Sequence, residues 1–170
     1  MTRIAFFFFL AGVAGFAKDS AHASNWRAAT ESELKAVIPA RAPVEKERIE
    51  TEFRTASGIT DGKGKFVAGV VLITAGYSAD GKYSHFFLTQ VSMKIGAFTL
   101  KPGDYVFGFG KNENSLTVKF YNAQTGSPAG TVEAARANRI GRIESFRIYP
   151  PNEKALMQIG RFAFAYRIVQ

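Results

Sequence analysis

Residues 66–74 read FVAGVVLIT, and this stretch decides the fold class. It is short, almost wholly apolar and rich in β-branched valine and isoleucine, with Lys65 before it and Gly76 after it. A run of this length between polar and turn residues is typical of a central β-strand. The stretch therefore predicts a protein built around a β-sheet.

The residues that follow keep the two-residue period of strands. In residues 116–120 (LTVKF) apolar and polar side chains alternate, and turn residues such as Pro102-Gly103 and Thr125-Gly126 recur about every 8–12 residues. This pattern predicts an all-β, antiparallel β-sandwich of about 8–10 strands, with a small up-and-down β-barrel as the alternative. The predicted strands are residues 66–74, 83–94 (one long strand or two short ones), 98–100, 104–109, 116–120, 130–134, 142–149, 156–159 and 162–168.

Residues 24–57 form an N-terminal segment ahead of the β-sandwich domain, which we assign to residues 58–170. Thr30 is a suitable N-cap and Glu33 lies three residues later, so a short helix is predicted to about Ile38. Pro39 and Pro43 follow and end it. Residues 46–55 fit either a helix or an edge strand, and the glycines that follow favour the strand.

Residues 1–23 have the layout of a cleavable signal peptide. Arg3 precedes the apolar run at residues 4–17 (IAFFFFLAGVAGFA), and Ala21-His22-Ala23 offers the small residues that signal peptidase requires. The run is too short for a membrane-spanning helix, which needs about 20 apolar residues. We therefore expect cleavage after Ala23 and export to the periplasm, the cell surface or the medium.

Composition limits the remaining possibilities. The 170 residues include 22 Lys and Arg against 14 Asp and Glu, a formal net charge of +8, and no cysteine. Without disulfides, stability must come from packing or from a partner subunit. The basic balance favours acidic partners such as an acidic glycan, an envelope surface or an acidic protein. Export makes a nucleic-acid partner a poor expectation.

The sequence offers little for catalysis. His22 lies in the predicted signal peptide, so His85 is the one histidine of the exported chain, which excludes zinc sites built from histidine and cysteine as well as a cysteine nucleophile. The nucleophile-elbow motif is missing. Residues 61–64 (DGKG) lack the further acidic ligands that calcium needs, and residues 108–110 (GFG) do not form a phosphate loop. We expect no cofactor, no metal and no catalytic residue.

A cluster of arginines is the one sequence feature that indicates a binding site. Arg136, Arg139, Arg142 and Arg147 lie close together between two predicted strands, with only Glu133 and Glu144 as nearby acids. Arginine binds carboxylate, sulfate and phosphate through paired hydrogen bonds. The cluster is a candidate anion-binding or partner-binding site, and the alternative is a charged strand edge that prevents aggregation.

Residues 94–105 read KIGAFTLKPGDY, with an Ile95-Gly96 pair, then Leu100, and Gly103-Asp104-Tyr105 at the head of a strand. This stretch resembles a bacterial family of exported β-sandwich domains of unknown function, and the resemblance extends over about residues 94–126. It implies a β-sandwich fold and export, and it implies no activity.

Three function classes follow from these observations. The first is a secreted or periplasmic binding module with a basic surface and no evident catalysis. The second is a small β-barrel that holds an apolar ligand or sits in the outer membrane, with the stripes Tyr105-Phe107-Phe109 and Phe162-Phe164-Tyr166-Ile168 facing its interior. The third is a hydrolase. The first fits the residues best.

Overall fold

A computed structural model describes residues 25–74, 82–137 and 141–169. The predicted signal peptide and its cleavage site at Ala23 lie outside these residues. The described chain holds one helix, α1 (Glu31–Val37), and strands in antiparallel pairs, which confirms the all-β prediction with a short N-terminal helix. The strands are β1 (Arg27–Ala28), β2 (Arg41–Val44), β3 (Glu47–Thr60), β4 (Phe66–Leu72), β5 (His85–Thr89), β6 (Ser92–Ile95), β7 (Phe98–Leu100), β8 (Gly103–Lys111), β9 (Ser115–Asn122), β10 (Pro128–Arg136), β11 (Glu144–Ile148), β12 (Leu156–Gly160) and β13 (Phe162–Val169).

Helix α1 begins where the sequence predicts. The Thr30 hydroxyl accepts a hydrogen bond from the Glu33 backbone N–H at 3.3 Å, and the Glu33 carboxylate accepts one from the Thr30 N–H at 2.8 Å. This capping box satisfies donors that the first turn leaves free. The Arg27 guanidinium, hydrogen-bonded to Glu33, contributes most to lowering the pKa of that carboxyl to about 2. Leu34 is buried and fixes the helix on the sheet.

The strands form one curled antiparallel sheet in the order β1-β3-β4-β5-β8-β9-β10-β13-β12-β11. It curls so far that β11 returns to β3, where the Ser57 hydroxyl accepts a hydrogen bond from the Ile148 backbone N–H at 2.9 Å. The result is a nearly closed barrel, which is compatible with both the sandwich and the barrel predictions, and it has 13 described strands where about 8–10 were predicted. Predicted strand 83–94 is two strands, β5 and β6.

Strands β4 and β5 are covered on both faces, which explains why FVAGVVLIT lacks a polar face. Inward-facing Val67 and Phe87 join the barrel core, whereas Val70 and Phe86 belong to a second apolar layer outside the sheet. Helix α1 and strand β2 form that outer cover. The aromatic stripes of β8 and β13 belong to or pack against the barrel core, so both contribute to one apolar interior.

The hairpin of β6 and β7 closes one end of the barrel. It pairs through β6 with the end of β13, and it buries Met93, Ile95 and Leu100 in the barrel core. The Phe98 ring of this hairpin lies over Gly130 of β10, where a side chain would collide with it. We call this the hairpin end. The opposite end lies where β10 finishes and β13 begins.

The N-terminal segment is more regular than its sequence suggests. Residues 46–55 belong to strand β3, which confirms the preference for a strand over a helix. β3 pairs with β1 and β2 on one side and with β4 on the other, so it is not a bare edge, and it runs through the expected boundary between residues 57 and 58. Helix α1 ends at Val37, ahead of Pro39, whereas Pro43 does not border the helix but lies within β2, which pairs with β3. Among the described residues, no helix is long and apolar enough to cross a membrane.

Candidate anion-binding site

Three arginines meet at the end of the barrel opposite the hairpin. Arg136 is the last residue of β10, Arg161 lies in the turn between β12 and β13, and Arg142 precedes β11. Strand pairing brings them together, because Arg136 lies opposite Phe162 and Glu144 lies opposite Gly160. They line a cleft of about 280 Å³, which we call the arginine cleft; its lining is Arg136, Ala137, Arg142, Ile143, Gln158, Gly160 and Arg161.

The arginine cleft carries an excess of positive charge. Its lining includes three guanidinium groups and no carboxylate. Within the described part of the chain, Arg136 and Arg161 have no carboxylate oxygen within 4 Å, and Arg142 approaches only Glu144, with Nε 3.9 Å from Oε1. The Arg142 side chain is 88% exposed and is free to turn toward a ligand. Mutual repulsion among three cations is relieved when an anion binds between them.

A buried glutamine fixes the backbone at the base of the arginine cleft. The Gln158 amide nitrogen donates to the carbonyls of Arg142 and Gly160, both at 2.8 Å, and its oxygen accepts from the Tyr149 hydroxyl at 2.8 Å. Gln158 is fully buried, and these bonds satisfy both ends of its amide. They fix the backbone of the loop that presents Arg142 against the turn that presents Arg161.

The structure brings together some of the arginines expected from the sequence. Arg136 and Arg142 line the cleft, and Arg139 lies outside the described residues. Arg147 lies apart, with Arg54, along a neighbouring cleft of about 140 Å³ between β3 and β11. Glu144 links the two clefts, because its carboxylate is 3.7 Å from Arg147 and 3.9 Å from Arg142.

The sequence pattern does not predict that Arg161 and Gln158 belong to the site. Arg161 follows Gly160 between two alternating segments, which is a hairpin signal that could have placed it at a strand end. Its proximity to Arg136 depends on the pairing of β10 with β13, which the sequence does not indicate. Gln158 has no sequence signal, since a polar residue in an alternating strand is expected to face solvent.

His85 is a strand residue, as predicted, and it lies inside the barrel. Its ring stacks on Phe107 with centroids 4.5 Å apart, and the Ser84 hydroxyl lies 2.8 Å from its Nδ1. Its Nε2 has no hydrogen-bond partner of standard geometry among the described residues. Burial lowers the pKa of His85 to about 3, and the Ser145 backbone offsets only part of this change. The imidazole is therefore neutral near pH 7.

Two further observations bear on the choice of site: the placement of possible metal ligands and the comparison with known proteins. Over residues 25–74, 82–137 and 141–169, no three histidine, aspartate or glutamate side chains converge as metal ligands would. Comparison with family models, with curated proteins and with solved structures finds no match to this chain. The arginine cleft therefore stands on its own geometry.

Proposed function

We propose that this protein is an exported binding module that holds an anionic group of an acidic glycan in the arginine cleft. The observation that carries the proposal is the convergence of Arg136, Arg142 and Arg161 on one cleft without a carboxylate in its lining. A guanidinium presents a planar fork of donors that matches a carboxylate or sulfate. The cleft is at the surface, so a group attached to a long chain can reach it.

The lining favours a glycan over a nucleic acid. Proteins that bind single strands stack bases on aromatic side chains. The arginine cleft is lined by arginines, Gln158, Gly160 and small or aliphatic residues, with no aromatic ring among them. Its chemistry suits recognition of charge and shape without stacking.

The proposed location depends on the sequence. The apolar run at residues 4–17 and the small residues at Ala21 and Ala23 support export. The intact mass of the protein recovered from the periplasm or the medium tests this part. A mass that matches a chain beginning at Ser24 supports export with cleavage after Ala23. A mass that includes residues 1–23 contradicts it.

Isothermal titration calorimetry tests the binding proposal. The probe is hexagalacturonate, and the neutral maltohexaose serves as its control. We expect Arg136→Gln/Arg161→Gln to weaken binding of hexagalacturonate at least tenfold, since each charge-assisted hydrogen bond contributes about 1.5–3 kcal/mol.

A matched variant separates the cleft from net charge. Arg41→Gln/Arg48→Gln removes the same charge from exposed positions of the β2–β3 hairpin. We expect it to change the affinity less than twofold. Failure of hexagalacturonate to bind, or equal weakening by both double variants, would contradict the proposal.

A further inference from the structure

Another cleft lies near the hairpin end of the barrel, away from the arginine cleft. It has a volume of about 610 Å³ and runs between helix α1, the β3–β4 turn, the end of β5 and the β7–β8 turn. Four of its lining residues are apolar: Ala36, Val37, Leu88 and Pro102. Its size falls in the range of clefts that bind small molecules. We call it the Asp104 cleft, after the one carboxylate in its lining.

The Asp104 carboxylate lacks a partner. Asp104 is half-buried at the start of β8, and within the described residues no hydrogen-bond donor or cation satisfies its side chain. Lys65 lines the same cleft but forms no ion pair with it. Burial alone raises the pKa of Asp104. A carboxylate that is partly withdrawn from water and has no partner in the described chain is available to pair with a cation and to accept hydrogen bonds from a ligand.

Several other carboxyls of the described chain have partners in the protein. Glu33 is paired with Arg27, Glu45 accepts from Tyr83 and Lys82, and Glu133 accepts from Thr117 and Ser115. In each case these partners lower the pKa of the carboxyl. Asp104 is the one described carboxyl whose pKa is raised. An unpaired, partly desolvated charge in a cleft is typical of a ligand site.

We propose that the Asp104 cleft binds an organic cation, a small molecule with an ammonium group attached to an apolar body. The ammonium pairs with the Asp104 carboxylate and donates the hydrogen bonds that this group lacks. The apolar body packs on Val37, Leu88 and Pro102, which gains further free energy from surface removed from water. This site is independent of the arginine cleft and prefers the opposite charge.

A nuclear magnetic resonance titration tests this site with benzylamine as the probe. Amide resonances of the isotope-labelled protein are followed as benzylamine is added, and the neutral benzyl alcohol is the control ligand. We expect saturable shifts of the Val37, Leu88, Gln90 and Asp104 amides with benzylamine. Benzyl alcohol should bind at least tenfold more weakly, since it cannot pair with the carboxylate.

Two variants separate the carboxylate from general charge. Asp104→Asn keeps the shape of the side chain and should weaken benzylamine binding at least tenfold. Glu113→Gln removes one negative charge from the exposed β8–β9 loop and should change binding less than twofold. Shifts that map elsewhere, or an Asp104→Asn variant that binds as the wild type does, would overturn the proposal.

The unmodified protein gives an independent measurement if Asp104→Asn folds poorly. The ¹³C resonance of the Asp104 carboxyl reports directly on its surroundings. We expect this resonance to move with the same saturation curve as the amides when benzylamine is added. A carboxyl resonance that stays constant would overturn the proposal whatever the variants do, and it would leave the arginine cleft unaffected.

Discussion

The amide nitrogen of Gln158 lies 2.8 Å from the carbonyl oxygen of Arg142 and donates a hydrogen bond to it. A fully buried residue of the barrel thus holds the backbone of a residue whose own side chain is almost wholly in solvent. This contact fixes where the arginine cleft presents its charge while it leaves the guanidinium free to adapt to a ligand.

Gln158→Leu should destabilise the protein by about 2–4 kcal/mol, because it leaves the Tyr149 hydroxyl and two carbonyls without their partner. It should also weaken anion binding, because the loop before β11 loses its anchor. Urea denaturation measures the first effect and calorimetry the second. Gln124→Leu, in an exposed turn, should change the free energy of unfolding by less than about 0.5 kcal/mol. Equal effects of the two variants would show that Gln158 is not an anchor.

Glu144→Gln should strengthen binding of hexagalacturonate about two- to fivefold. Glu144 is the one described carboxylate within 4 Å of Arg142, so it competes with a bound anion for that guanidinium. Pairs of this exposure contribute about 0.2–1 kcal/mol, which sets the expected size of the gain. Glu113→Gln adds the same net charge elsewhere and should leave the affinity nearly unchanged. A gain of similar size in both variants would point to long-range charge instead.

Protonation of His85 should destabilise the fold in mildly acidic solution. The folded protein takes up this proton at a pKa of about 3, whereas the unfolded chain takes it up near 6.5. The unfolded state therefore binds more protons between these values, and stability falls as pH falls below about 6.5. Between pH 7 and pH 5 the loss should be about 2 kcal/mol.

His85→Phe keeps an aromatic ring against Phe107 and removes the titrating group. Denaturation at several pH values between 7 and 5 should show that the free energy of unfolding depends less steeply on pH in this variant than in the wild type. The comparison uses slopes, so a constant change in stability from repacking does not affect it. Identical slopes would mean that His85 does not control the pH dependence in this range.

Gly130→Ala should destabilise the protein by about 1–3 kcal/mol, because the new methyl group collides with the Phe98 ring and displaces the β6–β7 hairpin. Gly110→Ala is the matched control in β8, since open space surrounds that position. Thermal unfolding distinguishes them: the melting temperature should drop in the first variant and hold or rise in the second. A Gly130→Ala protein with an unchanged melting temperature would show that the hairpin is loosely attached.

Local pattern was enough to find most elements of the fold. Residues 66–74 and the alternating segments after them predict β4 and the strands of the barrel wall, and Thr30 with Glu33 predicts the start of α1. Strands β1 and β2 were not predicted. β1 has two residues and β2 contains Pro43, so neither shows an alternating pattern. They are strands because β3 offers them a partner.

The arginine cleft could be predicted only in part, because its geometry depends on contacts between distant parts of the chain. Arg136 and Arg142 are close in sequence, which favours their placement on one cleft. Arg161 lies in the arginine cleft because β10 pairs with β13. Arg147 lies outside it, because its position on β11 places it in the neighbouring cleft between β3 and β11. Asp104 is identified in the sequence only as a residue at the head of a predicted strand, and the cleft around it forms because α1 packs beside it.

The double burial of β4 and β5 has a consequence for biogenesis. Without α1 and β2, an outer layer containing Val70, Phe86 and Leu88 would face water and could associate with other newly made chains. The residues that shield this layer, 31–44, precede β4 and β5 in the chain, so synthesis completes the cover before the surface it protects. The order of these elements along the chain thus limits aggregation while the barrel is still being assembled.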